Sequence, residues 1–152
     1  MLVGAAALAL LGTAATACGQ PAPRPDVDAL VAQLERARSD DELAAAVART
    51  APPSVAKVLT TVAAERAAHA QALTEELTRM NGAPLTTPTT TPSREPPQAP
   101  TTKDVVAALR QSAEAAAALA AQLSGYRAGL LGSIAASCTA AYTVALGKGP
   151  DS

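Results

Sequence analysis

The sequence predicts an all-α domain built as a four-helix bundle, and three observations carry that prediction. Of 152 residues, 49% are hydrophobic, yet the only aromatic ones are Tyr126 and Tyr142. A core must then come from Leu, Val and a large share of Ala, which has the highest helix propensity and lets helix axes approach closely. Apolar residues recur at three- and four-residue steps along several stretches, and no Val or Ile run alternates with polar residues as in a strand. Pro52-Pro53, a Thr/Pro-dominated segment and Ser124-Gly125 separate those stretches.

The N-terminus reads as an address. Residues 2–11 form an uncharged apolar run, shorter than the about 20 residues a spanning helix needs, and prolines follow soon after. Ala15-Thr16-Ala17 then precede Cys18 and Gly19. This pattern resembles a bacterial lipobox, in which a peptidase cuts before a cysteine whose sulfur carries diacylglycerol. The resemblance implies a signal peptide at residues 1–17, a lipidated Cys18, and a mature protein held on the extracytoplasmic face of the cell membrane. Two features depart from the pattern: Ala15 stands where Leu is usual, and no basic residue precedes the apolar run. The second is expected if the true start lies upstream of Met1. Two other readings stay open, an ordinary secretory signal cut after Ala17 and an uncleaved apolar anchor. In an oxidising compartment Cys18 and Cys138 could pair, but lipid on Cys18 would leave Cys138 free in small, apolar surroundings that suit an inert thiol.

From residue 18 to residue 25 the lipidated cysteine and a Pro-rich tether are expected. A polyproline stretch rises about 3.1 Å per residue and could hold a domain roughly 20 Å above a lipid surface. The bundle domain is expected over 26–147, with a short tail at 148–152. Its first helix carries Val27, Leu30, Val31 and Leu34, is interrupted by the capping types Ser39-Asp40-Asp41, and resumes with Leu43 and Val47. It reads as one bent helix to about Arg49 or as two short ones. The second helix has the clearest stripe: Val55, Leu59, Val62, Arg66, His69, Leu73, Leu77 and Met80, closed by Asn81-Gly82. Residues 83–101 lose the apolar period and read as a flexible Pro/Thr-rich loop. The third helix starts at Thr102 or Lys103 and carries Val105, Leu109, Ala116, Leu119 and Leu123. The fourth runs from about Tyr126 through Leu130, Ile134, Cys138, Ala141 and Ala145. Short first and third connections with a long second one suit a bundle with one crossover, the ferritin-like arrangement; an up-down bundle with a slack second loop competes.

Composition narrows function by exclusion. A formal net charge of −1 with scattered Arg and Lys gives no nucleic-acid footprint and no polybasic membrane patch. The preference for Arg over Lys, with heavy Ala and Pro, suggests a GC-rich bacterial genome. One constellation stands out: Glu65 and His69, four residues apart on the second helix, His69 being the only His in the chain. With this E-R-x-x-H segment, the helix pairs and the small-residue last helix from Ala128 to Cys138, the chain resembles an uncharacterised ferritin-like domain family of actinobacterial exported proteins. A carboxylate-bridged metal site of the ferritin type needs a Glu-x-x-His from each of two helices. Here one Glu-His pair exists, Tyr142 occupies the last helix, Glu114 falls off its stripe and Glu35 is borderline. Glu65 and His69 are therefore read first as a polar pair at the core edge, with His69 hydrogen-bonded by Glu65 or a Tyr hydroxyl, and only second as metal ligands. No cofactor and no catalytic residue are expected. A Cys138–His69 nucleophile would sit in an apolar site that raises the thiol pKa.

The function expected is that of a membrane-tethered, non-catalytic bundle binding an envelope protein or lipid partner. Alternatives are a metal-binding redox or storage protein using Glu65 and His69, and a carrier of an apolar ligand in an Ala-rich core.

Overall fold

The computed structural model describes residues 25–82 and 99–147. The expected signal peptide, Cys18, the tether to residue 24, residues 83–98 of the Pro/Thr-rich segment and the tail lie outside the described residues. Four helices make up almost all of what is described: α1 (Pro25–Ala48), α2 (Pro53–Asn81), α3 (Thr102–Ala120) and α4 (Gly125–Ala140), the last continuing into a π turn, Ala141–Ala145. There is no strand among the described residues.

Local chemistry sets the boundaries. Asp26 and Asp28 place negative charge in the first turn of α1, where the helix dipole favours it. At that same end of the hairpin, α2 closes on Gly82, whose φ of 69° is left-handed and whose N–H donates to the Thr78 carbonyl. Thr101 and Asp104 form a capping box at the start of α3, the Asp104 carboxylate accepting from the Thr101 N–H at 2.7 Å. Those hydrogen bonds from Thr101 hold the Asp104 carboxyl below its usual range. Gly125, with φ of 61°, makes the sharp turn that separates α3 from α4.

Of the two readings of this stretch, the single helix holds: α1 runs without a break through Ser39-Asp40-Asp41. The physical reason is where Asp40 points. Its side chain is buried and bonded to α2 and α3 rather than turned back to cap its own backbone.

The helices pack as two hairpins. α1 lies along α2, α3 along α4, and α1 also against α3, whereas α2 and α4 share no comparable seam. Four-residue connections make each hairpin antiparallel. At one end of the bundle the Arg79 guanidinium, near the end of α2, lies 4.6 Å over the Tyr126 ring at the start of α4. At that same end Arg127 Nη1 donates to Asp26 Oδ2, near the start of α1, at 2.7 Å. The starts of α1 and α4 therefore lie together with the ends of α2 and α3. It follows that α2 and α3 run parallel, with the start of α3 at the opposite end from Gly82.

The core is aliphatic and small. Leu30, Leu34, Val47, Leu59, Val62, Leu73 and Leu77 are buried from the first hairpin, and Val105, Leu109, Leu131 and Ile134 complete the cluster from the second. Ala37, Ala44, Ala63, Ala70, Ala113 and Ala116 are buried with them and form an alanine waist, where small side chains let helix axes approach closely. The segment Gly125–Ala145 is apolar and long enough to cross a membrane by length and composition, but Leu131, Ile134, Cys138 and Ala141 turn its inner face into the bundle.

Candidate functional site

The alanine waist holds a polar centre assembled from three helices. Arg66 of α2 is 2% exposed, and Asp40 of α1 and Ser112 of α3 are buried with it. Asp40 Oδ2 accepts from Arg66 Nε at 3.1 Å and from Nη2 at 3.0 Å, while Ser112 Oγ donates to the same oxygen at 2.7 Å. The third arm of the guanidinium reaches along α2: Arg66 Nη1 stands 3.1 Å from His69 Nδ1.

Arithmetic on donors fixes the state of the imidazole. Arginine has only donors and keeps its proton, so Nδ1 must accept and the ring proton must sit on Nε2. A doubly protonated ring would place a second cation against the first. Burial and the Arg66 charge accordingly push the His69 pKa below its ordinary 6.5, with Glu65 pulling weakly the other way.

Glu65 and His69 do not meet as a hydrogen-bonded pair. His69 is half-buried and faces Arg66, whereas Glu65 is exposed and accepts from Ser137 Oγ of α4 at 3.2 Å. The partner expected for His69 was Glu65 or a tyrosine hydroxyl; the neighbouring Arg66, pulled inward by Asp40, takes that place. Tyr142 is engaged elsewhere, with the Arg110 guanidinium 5.3 Å over its ring. Glu114 and Glu35 are exposed, Glu35 being paired with Arg38. Among the described residues no group of three or more His, Cys, Asp or Glu side chains is placed to hold a metal ion.

Cys138 packs beside this centre, buried and unpaired. Burial pushes its thiol pKa up, and the nearby Arg66 charge only partly offsets that. A thiol so placed stays protonated at neutral pH and lacks the thiolate that nucleophilic chemistry requires. The polar centre thus has the properties of a structural tie: every strong donor is matched, and no reactive group faces a cavity.

The cavity lies elsewhere, on the side where α2 and α4 fail to close. A groove of about 380 Å³ runs between them, lined by Val58, Thr61, Val62 and Glu65 of α2 and by Ser137, Ala140, Ala141, Val144 and Ala145. The Glu65–Ser137 hydrogen bond bridges it at one end. Val144 is 65% exposed at the other. The groove occupies the first half of α2 and the end of α4, hence the end of the bundle opposite Pro25. Sequence reasoning missed it, although Val58, Thr61, Val62 and Glu65 at i, i+3, i+4 and i+7 share one face of α2 that overlaps the buried stripe at Val62.

A second hollow, of about 520 Å³, sits at the Pro25 end, where Asp26, Glu76, Arg79, Ser124, Tyr126 and Arg127 meet. Its charges are already paired, Arg127 with Asp26 and Arg79 with the buried Glu76. Comparison of the chain with protein-family models, curated proteins and solved structures found no significant match.

Proposed function

We propose that this chain is an exported lipoprotein, anchored by lipid on Cys18, whose helical domain is a non-catalytic binding module of ferritin-like topology. The observation that carries the binding role is the open α2/α4 side with its aliphatic groove. It lies at the end of the bundle opposite Pro25, where the chain enters the domain. A domain tethered through that entry would present the groove away from the membrane, toward other components of the envelope. The ferritin-like arrangement is supported by the packing: α2 and α3 run parallel without packing on each other, as a single long crossover requires.

Two experiments test this reading. Palmitate labelling in an exporting bacterial host should mark the chain and lose the mark in Cys18→Ser; equal labelling, or none, would sink the lipid anchor. A photo-crosslinking residue at Val144 should capture an envelope component that the same residue at the exposed Glu114 does not. Identical patterns at both positions would remove the groove as the binding surface.

A further inference from the structure

We infer that the α2/α4 groove takes a single aliphatic chain ending in a cation, an alkylammonium-type amphiphile whose head group sits at Glu65. This rests on the reading of the groove as the binding surface and adds the chemistry of its occupant.

The lining sets the body of the ligand. Val58, Val62, Ala140, Ala141, Val144 and Ala145 are all aliphatic and no aromatic ring borders the space, so it suits a narrow chain rather than a flat ring system. Its shape agrees. The stripe from Val58 to Glu65 spans two helical turns, about 10 Å at 1.5 Å per residue, with the end of α4 as the facing wall. Thr61 offers little polarity to a ligand, because its hydroxyl donates to the Lys57 carbonyl of its own helix at 3.2 Å.

The head group follows from the one charge in the lining. Glu65 closes one end of the trough, and its only hydrogen bond is the neutral one from Ser137. Among the described residues the ion pairs Arg38–Glu35, Arg66–Asp40, Arg79–Glu76 and Arg127–Asp26 do not include the Glu65 carboxylate. The adjacent Arg66 would be the natural partner, but Asp40 holds it inside the bundle. An aliphatic chain lying along the groove would therefore bring its end group to an anionic, exposed position. A cation there gains a partner while keeping its water, whereas a carboxylate meets like charge.

The test is calorimetric titration of the full chain with decylammonium, decanoate and decanol, each below its micellar concentration. Decylammonium should bind saturably, one per chain, and up to about fivefold more tightly than decanol, with decanoate weakest. The preference should shrink with added salt and vanish in Glu65→Gln. Val144→Asn, at an exposed position that the fold does not depend on, and Ala140→Phe should weaken all three together, with helicity checked by circular dichroism. Equal affinities in the natural chain, or a preference that survives Glu65→Gln, would overturn the head-group assignment and leave the groove as a binding surface. Absence of saturable binding by any of the three would overturn the groove reading as well.

Discussion

The two faces of α2 are built on opposite principles. Toward α1 it presents Arg66, which is buried and bonded to Asp40 and to His69 of its own helix. Toward α4, one residue earlier, it presents Glu65, exposed and bonded only to a serine hydroxyl. One side is a tie that joins three helices through a single carboxylate oxygen; the other is a gap floored by valine and alanine. The difference shows how a core almost devoid of aromatic residues obtains a defined packing. Ala-rich seams offer many similar registers, and a charge pair that must be matched selects one of them. Such registry by a buried polar group is well attested in coiled coils, and it fits the Ala37, Ala44, Ala63 and Ala70 neighbourhood of Asp40 and Arg66.

The sharpest way to break the comparison is to cut the tie on one side only. Arg66→Leu leaves a buried carboxylate facing nothing but Ser112 and should cost about 3–5 kcal/mol in denaturant titration. A loss near zero would mean that the pair is not buried in solution. Ser112→Ala removes one of three donors to Asp40 Oδ2 and should cost less, about 1 kcal/mol or somewhat more.

How much of this was legible in the sequence varies with the kind of signal. Helical periodicity placed all four helices, because Leu and Val at three- and four-residue steps leave little ambiguity, and Asn81-Gly82 marked the end of α2 by known cap chemistry, whereas the Thr101–Asp104 capping box of α3 went unread. The stripe on α2 also contained Arg66 itself. What stayed hidden was the partner. Asp40 sits in Ser39-Asp40-Asp41, a cluster that normally marks a helix boundary, and only the tertiary contact with Arg66 and Ser112 makes it a core residue. An arginine on an otherwise apolar stripe was a demand for a buried carboxylate, yet Glu35, Asp40, Asp41, Glu42 and Glu114 could all have answered it. The groove was hidden for another reason. It is a gap between two helices, and periodicity along one helix does not report how closely a second approaches.

Acid should probe the tie more gently than mutation. His69 has a pKa held below its ordinary 6.5 in the folded chain, so the unfolded state takes up a proton that the folded state refuses. Stability should therefore be complete above about pH 6.5 and decline as pH falls toward the depressed value. His69→Gln, which keeps an acceptor for Arg66, should flatten that slope between pH 7 and the acid limb. A slope unchanged by the substitution would place the titrating group elsewhere. Below that range the Asp26 carboxyl, held down by its hydrogen bond from Arg127, adds a contribution that is lost as it protonates.

The open side should respond least of all. Val144→Asn and Glu65→Gln each alter exposed side chains and should change stability by no more than about 0.5 kcal/mol. A larger loss would show that the α2/α4 side contributes to holding the bundle, and would blur the division between tie and groove.

That division is tested most directly by a double-mutant cycle on Asp40 and Arg66, with Asp40→Leu, Arg66→Leu and the double variant unfolded in denaturant. If the pair acts as one buried unit, the double variant should be far more stable than the two single losses predict, with a coupling of about 2–3 kcal/mol. Losses that add to within about 0.5 kcal/mol would contradict it, leaving Asp40 and Arg66 as independent residues and the alanine waist without its lock.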